Sequence, residues 1–395
     1  MSFVSYVNKL QGASNYKVDS EGYICEITES SHDLYLEITE QINGFRPNLF
    51  KKYTSVQLCY NPDKAKCSMS LVELFYNCEN LRVVNLDNFH VQCTNATRML
   101  ANCKNLNMMF VSMLGIDFQS VYSVEEMFMG VYSYHPNCLN FNTLNYINAD
   151  RMFAGVSFEN TDTLSLTSIG LDKIYSAVGM FQDCKFFNNF ELYGKTDGLK
   201  DISCMFKNAE SLFSLKLCID TSKIFKANEM FKYCEQLRSF TSTGKLSHVA
   251  YADEMFYGSG IKSVNLGLLG MYSLKYYNYM FKDCFKLEYL NLVPLNINLS
   301  VEIGCGLLEN CVNLLKVFYK GNSASLDNNK YINIKDYELF ICSCFCGQYG
   351  VYDLTDDTVE YYNLRDLSIC VRDYKIPIYG IILKDNQVLV KVFDF

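Results

Sequence analysis

Ala252-Asp253-Glu254-Met255-Phe256 decides how this chain is read, because the same few residue types return about every 25 positions. Met-Phe or a close substitute recurs at Leu74-Phe75, Met99-Leu100, Met127-Phe128, Met152-Phe153, Met180-Phe181, Met205-Phe206, Met230-Phe231, Met255-Phe256, Met280-Phe281 and Leu307-Leu308. The successive intervals are 25, 28, 25, 28, 25, 25, 25, 25 and 27 residues. A fixed period in this range marks a repeat array, in which each unit buries its apolar face only against its neighbours.

Around the Met, a small residue stands three positions before, as in Ala96, Ala149, Ala177, Ala227 and Ala252, and Cys or a small residue stands at plus four. Offsets −3, 0, +1 and +4 share one face of a helix, so each repeat is expected to begin with a short amphipathic helix. Position plus three reads Asn77, Asn102, Gly130, Gly155, Asp183, Asn208, Tyr233, Gly258, Asp283 and Asn310. All but Tyr233 are Asn, Gly or Asp, the types that tolerate left-handed backbone just past a helix.

Alternating segments follow the stop, among them Val84-Asn85-Leu86, Leu164-Ser165-Leu166, Phe190-Glu191-Leu192, Leu215-Lys216-Leu217, Val264-Asn265-Leu266 and Leu290-Asn291-Leu292. A period of two predicts a short strand with its outer residues inward and its centre outward. Stacked copies would form a parallel sheet at a spacing of about 4.8 Å. The expected fold class is an α/β solenoid of about ten short-helix/short-strand repeats with a parallel sheet, plus a small C-terminal β module.

Residues 1–70 fit the repeat poorly and are expected to cap the array. Within them Leu34, Leu36 and Ile38 alternate as in a strand, and Ser55-Val56-Gln57-Leu58 follows a degenerate pair at Leu49-Phe50. The solenoid is expected over residues 71–320. Tyr132 to Asn137 interrupts the Met127 repeat before Leu139-Asn140-Phe141 resumes it, and the next repeat lengthens around Phe158 to Thr163. Per-repeat insertions predict exposed loops. Residues 321–330 are polar and read as a linker. Residues 331–395 carry strand-like runs at Tyr337 to Cys346, Val359 to Tyr362 and Leu367 to Val371. They end in a hairpin of Ile381-Ile382-Leu383 and Val388 to Phe393 around Lys384 to Gln387.

At 395 residues, 49% hydrophobic, the chain has ample core. A net charge of −8, a pI near 5.2 and no basic cluster argue against duplex nucleic acid as a partner. Met1 to Leu10 holds no apolar run of secretory-signal length, and no run of roughly 18 apolar residues predicts a membrane span. With core to spare, the 18 cysteines read as free thiols in a reducing compartment, cytoplasmic or within a particle.

Met280-Phe281-Lys282-Asp283-Cys284-Phe285-Lys286-Leu287-Glu288-Tyr289-Leu290-Asn291-Leu292 resembles the BspA-type leucine-rich repeats, in the Met-Phe variant of repeat-rich surface proteins of bacteria and protists. The resemblance covers residues 71–320 and implies adhesion or protein recognition. It also implies that the strand centres line a concave face. The surface members carry a secretion signal or lipid anchor, which this sequence does not show.

Candidate sites are few. Cys78, Cys103, Cys184, Cys234, Cys284 and Cys311 fall at plus four, where Ala209 and Ser259 also stand, so Cys is read there as a small buried residue. Cys342, Cys344 and Cys346 lack the second pair that zinc sites use. His32, His90, His135 and His248 are scattered. No phosphate loop, nucleophile elbow or paired carboxylates appear, so no enzyme, cofactor or metal is expected. The strand centres Asn85, Phe110, Asn140, Ser165, Glu191, Lys216, Thr241, Asn265, Asn291 and Phe318 remain as a partner-binding ladder, or else a solvated sheet face. The leading expectation is a non-enzymatic recognition or scaffold protein that binds a protein partner. The alternatives are a structural subunit of a larger assembly such as a virion, docking through the apolar Val388 to Phe395, and a surface adhesin.

Overall fold

Apolar residues spaced one repeat apart are buried together only when successive copies stack in register, and the strands do so. The computed structural model describes residues 16–60, 67–133, 141, 144–158, 161–186, 188–292, 307–308, 310–311 and 313, and the backbone of the strands Lys316–Tyr319, Glu338–Ile341, Gln348–Asp353, Thr358–Asn363, Ile378–Lys384 and Gln387–Phe393. The chain groups into two compact units, residues 1–209 and 210–395. Among the described residues no helix is long and apolar enough to cross a membrane.

In the first unit Asp33–Ile38, Ser55–Tyr60, Val83–Phe89 and Val111–Ser112 form a parallel sheet. Leu34, Val56, Val84 and Val111 are in register and buried. A second parallel row runs through Cys67–Ser70, Val91–Asn95 and Ile116–Asp117. Its bridges continue through Asn95, Ser123 and Asn148. Tyr16–Val18 pairs antiparallel with Tyr23–Ile27, which runs parallel to Gly44–Phe45.

In the second unit Ser214–Ile219 pairs with Ser239–Ser242. Ser263–Asn265, Tyr289–Asn291, Lys316–Tyr319 and Glu338–Ile341 form a further parallel sheet. Parallel pairing therefore continues past Lys320, where the solenoid was expected to stop in favour of a separate β module. Gln348–Asp353 with Thr358–Asn363, and Ile378–Lys384 with Gln387–Phe393, are antiparallel pairs. The expected linker at 321–330, the run at Leu367 to Val371 and the thiols of Cys342, Cys344 and Cys346 lie outside the described residues.

The Met-Phe segment is not the expected short helix. An α-helix directs every backbone N–H along its own axis to residue i−4. Here the N–H groups alternate. Met255, Tyr257 and Ser259 donate within the turn to the carbonyls of Ala252, Glu254 and Phe256, at 3.2, 3.0 and 2.9 Å. Ala252, Glu254, Phe256 and Gly258 donate instead to Tyr276, Asn278, Met280 and Lys282 of the next repeat, each at 2.8 Å. Left-handed residues at two positions create the alternation, Glu254 at φ 56° and Gly258 at φ 64°. The plus-three stops read from sequence are left-handed throughout, as at Asn77, Asn102, Asp183 and Tyr233. The minus-one position is left-handed too, at Glu73, Arg98, Glu126, Arg151, Glu229 and Tyr279, where sequence gives no such hint. Helix among the described residues is limited to the 3-10 turn Met108–Phe110 and the single α turn Leu266–Leu269.

Because each repeat adopts the same turn, equivalent side chains stack. Phe128, Phe153, Phe181 and Phe206 have ring centroids 5.8, 5.8 and 5.3 Å apart with planes within 14°. Phe231, Phe256 and Phe281 repeat the stack in the second unit at 5.3 Å per step. In the lengthened repeat Thr161 is half-buried and Asp162 and Thr163 are exposed, as expected of an insertion, while residues 159–160 lie outside the described residues. Phe158, where the lengthening begins, is fully buried, its ring 5.4 to 5.5 Å from Phe186, Phe181 and Phe190, and adds an aromatic to the core. Tyr132 is exposed and Phe141 is buried against Phe118 at 4.9 Å, while residues 134–140 lie outside the described residues.

The plus-four thiols are buried and free, and they also donate across repeats. Cys103 Sγ points to the Phe75 carbonyl at 3.1 Å, and Cys184, Cys284 and Cys311 to the carbonyls of Phe153, Phe256 and Phe281 at 2.9 Å. Burial pushes the thiols of Cys78 and Cys284 up to about 12, and raises Cys103, Cys184 and Cys311 for the same reason.

Phe153→Ala, which removes the middle of a stack, is expected to destabilise the fold by about 3–5 kcal/mol, read from the urea midpoint. Iodoacetamide at about pH 8 is expected to label the exposed Cys25 in the native protein, and Cys78, Cys103 and Cys284 only once urea unfolds it, as mass spectrometry would show.

Candidate functional site

Register separates the strand-centre residues into true neighbours and offset ones. Asn85 pairs with Gln57 on one side and Ser112 on the other, so Phe110 is not its neighbour in the row. Phe110 instead ends the 3-10 turn and is exposed. Ser165 lies opposite Tyr193, and Glu191 opposite Thr163, so these two predicted neighbours are offset. The cause is the long Met152 repeat, whose extra residues shift the strand along its partner. Lys216 and Thr241 are in register and exposed, and Asn265 and Asn291 are in register and half-buried. The Asn265 side chain is committed to capping Leu266–Leu269, accepting from Leu268 N–H at 3.0 Å. Phe318 lies opposite Asn291 along the backbone, its side chain outside the described residues, as is Asn140.

Within the second unit the ladder breaks between Ser239–Ser242 and Ser263–Asn265, which belong to different sheets. The two coils are joined on either side of the break. Gly260 N–H donates to the Cys234 carbonyl at 2.9 Å, and Leu246 N–H to the Leu269 carbonyl at 2.8 Å. Between these ties the Arg238 guanidinium takes the place of backbone pairing, with Nη1 donating to the Gly260 carbonyl at 2.9 Å and the Glu235 carbonyl at 3.3 Å.

A cavity of about 300 Å³ fills the break. Its inner wall is Phe240, Phe256, Ile261 and Val264, and its outer wall includes Ser239, Thr241, Ser263 and Asn265. Residues from both faces of the sheet line it, so it passes between the strands rather than lying over them. Leu268, 70% exposed, stands at its lip. The Ser242 hydroxyl oxygen is buried in its wall with no hydrogen-bond partner, where such groups are ordinarily satisfied. None of the lining side chains carries a charge. The helical turn beside the cavity is held from behind. Lys245 Nζ donates to the Leu268 carbonyl at 2.6 Å, Tyr272 Oη to the Gly267 carbonyl at 3.2 Å, and Gly270 closes the turn at φ 73°.

The break has a signal in the sequence that the Met-to-Met interval conceals. In five other repeats a buried Leu stands seven positions after the Met or its substitute, as Leu81, Leu106, Leu212, Leu237 and Leu287. The inward strand residue then stands ten after, as Val84, Leu215, Phe240 and Leu290. In the Met255 repeat these become Ile261 and Val264, at plus six and plus nine, so one residue is missing between Ser259 and Ile261. A one-residue slip would turn the strand inside out. The chain keeps Val264 inward and gives up the pairing instead.

Among the described residues no group of His, Cys, Asp or Glu is placed to hold a metal ion. His32 and His248 lie in separate local contacts, with the Lys52 carbonyl and the Ser247 hydroxyl, both at 3.2 Å.

Gly260 is where the shortened coil passes its neighbour. A Cβ there would sit 2.0 Å from the Glu235 carbonyl oxygen and 2.4 Å from Arg238 Nη1. Gly260→Ala is therefore expected to destabilise the protein by about 1–3 kcal/mol, with the loss read from thermal unfolding.

Among solved structures the chain is similar to a leucine-rich repeat protein from Bacteroides ovatus, with 16% identity over 84% of this chain and 99% of that one, at a TM-score of 0.31. That score is too low to bear on the fold, which rests on the strand pairing above. No curated protein matches the sequence. A family model matches residues 69–193 and 177–291, a span of more than half of the chain that takes in nine of the ten Met-Phe positions. The chain belongs to the family described as "Mycoplasma protein of unknown function, DUF285".

Proposed function

We propose that this protein is a non-enzymatic recognition or scaffold protein that binds a protein partner through the outward face of its parallel sheets. The observation that carries this reading is the contrast between the two faces of the strands. In Ser55–Tyr60 and Val83–Phe89 the inward residues Val56, Leu58, Val84 and Leu86 are buried, while Gln57 and Asn85 between them present a row of neutral amides in register. In the second unit Lys216 and Thr241 are likewise in register and exposed, between the inward Leu215 and Leu217 on one strand and Phe240 and Ser242 on the other. A ladder of mostly neutral polar side chains holds donors and acceptors at fixed spacing, which suits recognition of another protein surface more than turnover of a small substrate.

Gln57 and Thr241 test the reading in each unit separately. A photo-crosslinking amino acid at either position, introduced in the native cells, is expected to capture the same partner. An equivalent probe at Lys104, exposed and away from the strand centres, is expected to capture none. Gln57→Lys and Thr241→Lys are expected to weaken co-purification about tenfold without lowering the melting temperature, as a charge buried unpaired at an interface does. Equal capture from Lys104 would refute the assignment of the binding face.

A further inference from the structure

We propose that the break between Ser239–Ser242 and Ser263–Asn265 is a binding site for an extended, uncharged peptide segment, which enters as an added strand. The inference names a partner chemistry within the face proposed above, and three observations support it.

The first is the pair of open edges. Ser239–Ser242 is paired on its Ser214–Ile219 side and Ser263–Asn265 on its Tyr289–Asn291 side, yet no ladder joins them to each other. Each strand therefore turns a row of backbone donors and acceptors toward the cavity. A peptide backbone is the group whose own N–H and C=O spacing matches such an edge, which is the basis of recognition by strand addition.

The second is the chemistry of the walls. Phe240 and Val264 inside, and Thr241 and Ser263 outside, offer an apolar and a hydroxyl-bearing side at once. An inserted strand places successive side chains on opposite faces, so a segment alternating apolar with small polar residues would satisfy both. The uncharged lining gives no counter-ion to a phosphate, a carboxylate or an ammonium group.

The third is Ser242. Its buried hydroxyl oxygen has no partner within the protein, and it sits on the open edge itself. A strand alongside would bring a backbone N–H or C=O within reach. The site is also held open in advance, since Lys245, Tyr272 and Gly270 fix the helical turn that would otherwise be free to fall across it. Preformed geometry lowers the ordering entropy lost on binding.

Fluorescence anisotropy with a labelled, end-blocked hexapeptide alternating valine and threonine, flanked by one lysine at each end for solubility, tests the proposal on the full chain. Saturable binding is expected, with slowed amide hydrogen exchange at residues 240–242 and 263–265. Methylating alternate peptide nitrogens is expected to abolish it. Ser242→Ala is expected to weaken binding about three- to tenfold, the loss of one hydrogen bond. Ser242→Leu, which fills the cavity, is expected to abolish it with the melting temperature unchanged. If Ser242→Leu does not fold, Ser242→Ala and the methylated peptide still decide. No binding at the solubility limit, equal binding of the methylated peptide, or an unchanged affinity in Ser242→Ala would each overturn the strand-addition site. Crosslinking from Gln57, in the other unit, reports on the wider recognition role alone, so the two can fail separately.

Discussion

The structure depends on one division of labour among backbone N–H groups. In each Met-Phe turn, alternate amides donate within the turn and the rest donate to the next repeat. A helix would satisfy all of them internally and leave neighbouring repeats joined by side chains alone. Sharing the donors makes every turn part of a ladder, so strand and turn are both held from coil to coil. The left-handed residue at minus one is the requirement for this geometry. Placing Glu, Arg or Tyr in that conformation costs on the order of 1 kcal/mol each. The stacking that results gives something back. Arg98 lies between Glu126 at 2.6 Å and Glu73 at 3.4 Å, and Arg151 reaches Glu126 at 3.4 Å, with Glu126 largely buried. Each pair with an exposed arginine contributes little alone, but a network shares the ordering cost among its members.

The same ladder explains why identical residues recur. A side chain at a given offset meets its own counterpart one coil away, so Phe stacks on Phe and the plus-four thiol finds the plus-one carbonyl of the preceding coil. Variation is allowed where the neighbour compensates. Tyr233 at plus three occupies the space that Gly258 leaves open, since a Cβ on Gly258 would meet the Tyr233 ring at 2.7 Å. Asn208 donates to Asp183 at 2.8 Å and Asn310 to Asp283 at 2.6 Å, which keeps the left-handed stops paired.

Departures from the period then become informative. Two kinds occur, with opposite results. In the lengthened Met152 repeat Phe158 adds a ring to the core while Asp162 and Thr163 stay at the surface. A missing residue before Ile261 leaves no slack, and the coil remains tied at Gly260 and Leu269 while the strand between separates from its neighbour. The gap opens between the strands beside the centres Thr241 and Asn265, and it holds a buried hydroxyl without a partner.

The repeat, its parallel strands, the inward Met and Phe, the buried thiols and the left-handed position at plus three were all legible in the order of residues. Each of these follows from local periodicity and residue type. That the turn is not a helix emerged from the folded chain, because offsets −3, 0, +1 and +4 point one way in either geometry and the difference lies in where the amides donate. It also decided which strand centres are true neighbours: Phe110, Ser165 and Glu191 were displaced by insertions whose destination the period does not encode. The opening between Ser242 and Ser263 required it most. The Met-to-Met spacing there is a regular 25, and although Ile261 and Val264 each stand one position early, that the strand parts from its neighbour shows only in the pairing of the two coils.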